Sequence, residues 1–150
     1  MLFDIAAADP DGLALDDLSR TRSWAEFVDR STRIAHLLRD ELGLQPDDHV
    51  ALLMDNRVEY VELTFGAMVA GIWITPINWH LKAGETAYVI ENSGARVVFT
   101  DPAHEAMARK SAGTCELLSL DARESALPNA SDQPMSPDGP SGGTMIYTSG

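Results

Sequence analysis

Apolar positions in this chain alternate between two rhythms. From Trp24 onward they recur at Phe27, Val28, Ile34, Ala35, Leu38 and Leu42, the spacing that lines one face of an α-helix. His49-Val50-Ala51-Leu52-Leu53-Met54 is instead a nearly unbroken apolar run, as in strands covered on both faces. The alternation continues. Ile72 to Thr75 and Arg96-Val97-Val98-Phe99-Thr100 are short, β-branched or aromatic runs that predict strands, and Thr114 to Leu120 predicts another. Helices are predicted between them, over about 57–70, 83–91 and 102–110.

Polar residues and glycines punctuate these elements. Ser23 followed by Glu26 has the capping-box spacing and starts the first helix. Gly43 ends it, with Leu44 placed for the hydrophobic contact of a Schellman end. Asn56 with Glu59 repeats the capping pattern before a second helix, which Gly71 stops. Pro76 has no N–H to give a ladder, so the run from Ile72 ends there. Asn92-Ser93-Gly94 closes the next helix, and Asp101-Pro102 reads as an N-cap followed by proline at the first helical position. Ahead of all this, residues 1–10 predict a short helical arm and 12–22 a β-hairpin. Strands alternating with helices imply parallel pairing through crossovers. The predicted fold is a doubly wound α/β domain over residues 1–120, with a mostly parallel sheet and flanking helices.

Residues 121–142 break the rhythm. Pro128, Pro134, Pro137 and Pro140 lie here among Ser, Asp, Asn and Gly, which predicts a surface loop or linker. Thr144-Met145-Ile146-Tyr147 then reads as a new strand leading into Thr148-Ser149-Gly150. A strand followed by hydroxyl and glycine residues is how phosphate-gripping loops begin, although this tripeptide also suits an ordinary turn.

Composition narrows the function classes. A formal net charge of −12 disfavours nucleic acid and anionic membrane surfaces, whose recognition needs Lys and Arg. Cys115 is the single cysteine, so neither an intrachain disulfide nor a cysteine metal site is available, and its apolar setting reads as core. No run reaches 18 apolar residues, and Met1-Leu2-Phe3-Asp4 is acidic where a leader is basic, so a cytoplasmic protein is expected. Neither Gly-x-Gly-x-x-Gly nor a Walker A pattern occurs. His36 and His49 read as structural, His104 has no Ser or Cys partner readable in the sequence, and a hydrolase triad is unsupported. Asn78 reads as a turn residue, Trp79 as packing and His80 as solvated. Arg57, Glu59 and Glu62 read as a solvated helix face.

Several stretches share order and spacing with a known family. Asp48-His49-Val50-Ala51-Leu52-Leu53-Met54-Asp55-Asn56, Gly66-Ala67-Met68-Val69-Ala70-Gly71, Pro76-Ile77-Asn78-Trp79-His80-Leu81, Glu85, and Asn92-Ser93-Gly94-Ala95 resemble the N-terminal part of adenylate-forming enzymes. That superfamily spans acyl-CoA synthetases, aryl-CoA ligases, luciferases and adenylation domains, and the wording is most similar to bacterial fatty-acyl-CoA synthetases. The resemblance implies that Tyr147-Thr148-Ser149-Gly150 opens the family's phosphate loop, with Thr148, Ser149 and Gly150 contacting ATP. It implies a small-molecule carboxylic acid, ATP, Mg²⁺ and coenzyme A as reactants of the full-length enzyme. The family's catalytic and metal-binding residues would lie beyond Gly150, so no catalytic or metal residue is assigned here. A fragment of this kind is expected to be inactive alone and to self-associate through the face its missing partners would cover. Two alternatives stand beside this reading: a non-catalytic flavodoxin-like binding module, and an acyl-AMP ligase or adenylation domain that does not use CoA.

Overall fold

The computed structural model describes residues 2–124, 127–135 and 141–148. A short helix, α1 (Leu2–Ala8), precedes an antiparallel hairpin of β1 (Leu13–Asp16) and β2 (Thr21–Ser23). Then come α2 (Trp24–His36), β3 (His49–Leu53), α3 (Val58–Ala70), β4 (Trp73–Pro76), α4 (Ala83–Ser93), β5 (Ala95–Thr100), α5 (Glu105–Ser111), β6 (Glu116–Ser119) and α6 (Leu120–Arg123). The four strands β4-β3-β5-β6 pair in that order, all parallel. The predicted doubly wound α/β architecture is what the chain adopts.

Covered strands explain the unbroken apolar runs. Val50 and Leu52 of β3 and Val97 and Phe99 of β5 face a core shared with α2 and α3. Ala51, Leu53 and Val98 point the other way, into a second core with Val89, Ile90 and Ala108 of α4 and α5. Every second residue serves one layer, so both periods of the pleat are apolar. Cys115 packs against the second core and its thiol donates to the Ala95 carbonyl at 2.9 Å; burial pushes its pKa up.

Most helix ends match local expectation. Ser23 and Glu26 form the reciprocal capping box, and Gly71 and Gly94 adopt φ of 78° and 69° at the ends of α3 and α4. After His36 the helix widens into a π-turn over Leu37–Glu41, and the Leu44 amide reaches back to the Leu38 carbonyl past Gly43.

Three local expectations are corrected. Helix α3 starts at Val58 with Arg57, not Asn56, in the cap position, and the Val58 amide is capped from the hairpin by Asp17 Oδ2 at 3.0 Å. Asp101-Pro102 opens a turn that the His104 amide closes on the Asp101 carbonyl and carboxylate, and α5 is helical only from Glu105. Residues 144–147 do not form a strand. Thr144 makes a single parallel bridge to Ile74, with the Ile74 amide donating to Gly143 O at 2.8 Å and the Met145 amide to Ile74 O at 2.7 Å.

The charges on α3 are the largest departure. Glu59 and Glu62 are 3% and 0% exposed rather than solvated. Glu59 accepts from Arg20 and from Arg57 Nε, and Glu62 Oε1 accepts from Arg22 Nε and Arg30 Nε, both at 2.7 Å. Arg57 is bidentate on Asp121 and Arg30 on Glu124, so the stretch after β6 is tied to the same network. The Asp121 and Glu59 bonds hold the Arg57 charge well above its ordinary range. Further along, Leu127 is buried, and Arg33 donates to the Pro128 and Ala130 carbonyls.

Candidate functional site

Ligands of open α/β sheets bind beyond the carboxyl ends of the strands. Among the described residues, two of the crevices that open there are polar enough or large enough to hold a small molecule. The first is built where β4 ends. Pro76 stops the ladder, Ile77 still donates to Leu52 O at 2.8 Å, and the chain then turns on Asn78. Asn78 Oδ1 accepts the His80 amide at 3.0 Å and its carbonyl accepts the Leu81 amide, so Asn78 is the turn residue its type predicts. Glu85 then reaches back to the Lys82 amide at 2.8 Å and fixes the start of α4.

Opposite this turn runs the segment after Ser141, which lies along the edge of β4. Gly142 makes that approach feasible. A Cβ there would stand 2.0 Å from the Ile72 carbonyl oxygen, so the side chain must be hydrogen. The segment delivers Tyr147 and Thr148 to the mouth of an open crevice of about 700 Å³. Its walls are mostly apolar, from Pro76, Ile77, Leu81, Tyr88 and Val89, with Asn78, Glu85 and Thr148 as the polar groups. An apolar cleft with a few convergent polar groups is the usual form of a small-molecule site. Thr148 is exposed at its rim. Ser149 and Gly150, the other two residues expected to contact phosphate, lie outside the described residues.

Trp79 and His80 follow Asn78. Trp79 is 45% exposed, stacks on His80 with ring centroids 3.5 Å apart, and approaches His104 at 5.7 Å. His49, in contrast, stacks on Trp73 inside the sheet.

The second crevice, of about 490 Å³, lies between the hairpin tip and the loops after β3 and β5. It is polar but its charges are engaged. Asp17 accepts from the Ser19 hydroxyl and the Val58, Ser19 and Arg20 amides, which hold its carboxyl well below the usual range. Asp101 is buried; its Oδ1 accepts the His104 amide at 3.0 Å and faces His104 Nδ1 at 2.7 Å, while Oδ2 accepts the Asp55 amide. Burial alone would raise the Asp101 pKa, and these bonds lower it overall. Asp55, Asp101 and His104 bring ligand-type atoms within 4.8 Å of one another. Since Asp101 already accepts on both oxygens, the trio acts as a staple between two loops. The sequence carries a signal for this pair, an Asp three residues before a His, but nothing local names Asp55 as the third member.

A family model described as "AMP-binding enzyme" matches residues 2–150. A fatty acid–[acyl-carrier-protein] ligase, ScoC, from Streptomyces coeruleorubidus is 37% identical over 82 residues, covering 55% of this chain and 16% of that protein. A feruloyl-CoA synthase from an Amycolatopsis species is 37% identical over 133 residues, covering 85% of this chain and 26% of its own length. Among solved structures, a Mycobacterium tuberculosis fatty acyl CoA synthetase superposes with a TM-score of 0.89 at 27% identity, covering 99% of this chain and 32% of that one. The chain therefore spans between about a sixth and a third of these three proteins.

Proposed function

This chain belongs to the AMP-binding enzyme family, and from that premise we propose that it contributes the first layers of an ATP-dependent acid–thiol ligase, with a fatty acid as the favoured substrate. In the first step a carboxylate oxygen attacks the α-phosphorus of Mg²⁺-bound ATP. The bond from that phosphorus to the bridging oxygen breaks, pyrophosphate leaves, and an acyl-adenylate forms. In the second, the coenzyme A thiolate attacks the acyl carbon and AMP departs with the bonding electrons. Such chemistry depends on positioning and on stabilising charge at the phosphates.

The observation that carries this reading is the placement of Thr148. It stands at the carboxyl-end mouth of an apolar crevice, on a segment joined to the sheet edge through Thr144. Its hydroxyl, with Ser149 and Gly150, is assigned to the ATP phosphates; Asn78 shapes the opposite wall. A free-standing binding module has no need of that bridge, and its Pro-rich tail should be dispensable. Among the described residues no helix is long and apolar enough to cross a membrane, in keeping with reactants that arrive from water.

The test is hydroxamate trapping with the intact gene product. Acid, ATP, Mg²⁺ and hydroxylamine should yield acyl-hydroxamate and pyrophosphate, whereas the 150-residue chain alone should yield none. Product from the short chain would overturn the assignment of catalysis to later segments. No product from the intact protein with any carboxylic acid would overturn the ligase reading itself. The ScoC match supports a second acceptor, a carrier-protein thiol, for which adenylate would form but coenzyme A would not be consumed.

A further inference from the structure

Among the described residues, the segment entering the candidate site is fastened to α3 and β4 by backbone bonds only as far as Met145. Gly142 donates to Met68 O at 3.1 Å, Gly143 accepts from Ile74, and Met145 donates to Ile74 O. Ile146 is 73% exposed. Among the described residues the next tie comes from a side chain: Tyr147 Oη donates to Asn92 Oδ1 at 2.7 Å. The Tyr147 ring also packs on the second core, so ring and hydroxyl together define where its Cα lies.

Asn92 sits on a firm base. It occupies the last turn of α4, where Ser93 Oγ donates to Ile90 O at 2.9 Å and Gly94 closes the helix in the left-handed region. Asn92 itself is exposed.

We propose that Asn92 is a positioning residue, which by accepting the Tyr147 hydroxyl fixes the point where the chain leaves β4 and turns toward the nucleotide phosphates. The proposal rests on the reading of Thr148 as a phosphate contact. Thr148 is the next residue along, one trans peptide or about 3.8 Å away, so a shift of Tyr147 is passed to it almost undiminished. Misplacement by about an ångström is enough to cost an enzyme much of its rate or binding.

The test uses the intact gene product with Asn92→Leu, Asn92→Asp and Tyr147→Phe, followed by ATP–pyrophosphate exchange. Asn92→Leu and Tyr147→Phe should raise the KM for ATP by about five- to tenfold, with the KM for the acid unchanged. Asn92→Asp keeps an acceptor and should restore the wild-type value. An unchanged KM for ATP in Asn92→Leu, with active wild type, overturns the proposal. If the wild type itself shows no exchange, the ligase reading fails, and hydrogen–deuterium exchange over residues 144–148 decides the strut separately. Faster exchange in Asn92→Leu than in Asn92→Asp upholds it, and equal rates overturn it.

Discussion

The two sides of the sheet treat polar groups in opposite ways. On the hairpin, α2 and α3 side, carboxylates are buried and each is met by arginine: Glu62 by Arg22 and Arg30, Glu59 by Arg20 and Arg57. On the β4 and α4 side the walls are apolar, and polar groups such as Asn78, Glu85 and Thr148 stand at the rim of an open crevice. Carboxylates enclosed in this way are closed to a ligand, Glu59 and Glu62 being 3% and 0% exposed. An open cleft with apolar walls and exposed polar groups at its rim is not. The first region is a lock that holds hairpin, helices and the stretch after β6 together; the second is the open crevice to which we assign the substrate.

Substitutions can break or sharpen that contrast. The largest effect is expected from Glu62→Ala, which takes the shared carboxylate from Arg22 and Arg30 and leaves Arg30 with Glu124. Losing one partner of a buried ion pair costs about 3–5 kcal/mol, to be read from denaturant unfolding. A loss no greater than that of an ordinary surface change, about 0.5 kcal/mol, would mean the network is incidental.

Next comes Gly66→Ala. Its Cβ would lie 2.6 Å from Ile34 Cγ2 and 2.8 Å from the Ser31 carbonyl oxygen, where α3 crosses α2. Such overpacking costs about 1–3 kcal/mol and should lower the midpoint of unfolding without touching the crevice.

Gly142→Ala is the counterpart on the open side. The added methyl meets the Ile72 backbone, which cannot yield, so the segment must lift from β4. Global stability should fall by less than about 1 kcal/mol, since the Thr144 bridge lies at the sheet edge. Hydrogen exchange over 142–148 should quicken all the same. A global loss as large as that of Gly66→Ala would erase the distinction between lock and crevice.

The smallest effect concerns pH. His36 Nδ1 lies 2.7 Å from Asp40 Oδ2, and Nε2 lies 2.8 Å from the Gln133 carbonyl oxygen. Both partners are acceptors, so both bonds form only when the ring carries both protons. Burial alone would lower the His36 pKa, but those bonds and the charges of Asp40 and Asp132 outweigh it and raise it above 6.5. A raised pKa stabilises the fold fully below the unfolded value and loses that contribution as pH climbs through the folded one. Wild type should therefore be more stable than His36→Gln at about pH 5.5, by on the order of a few tenths of a kcal/mol, and equal to it at about pH 8.5. A constant difference across that range would show that the proton is not involved.

Much of the architecture was legible residue by residue. Ser23 with Glu26 capped α2 as read, Gly71 and Gly94 ended their helices, and the continuous run His49–Met54 became the innermost part of a parallel sheet. Each of those outcomes depends on neighbours within a few positions. The readings that changed depend on partners far along the chain. Glu59 meets Arg20 thirty-nine residues away, Glu62 meets Arg22 at forty, and Asp101 takes the Asp55 amide from forty-six. Capping rules applied to Asn56 and Glu59 could not register an arginine arriving from the hairpin.

The candidate site divides the same way. The turn at Asn78 and the hydroxyl at Thr148 were visible in the sequence, and so was the family resemblance they carry. That Tyr147 is held by Asn92, fifty-five residues earlier, was not. By itself the sequence determined most of the elements, the glycine stops of α3 and α4 and the parallel sheet, because periodicity, glycine conformation and proline chemistry act over one or two helical turns. Only the tertiary structure decided which charges are buried and which crevice stays open. Those outcomes follow from crossovers that bring distant segments within hydrogen-bonding distance, where desolvation makes a partner obligatory.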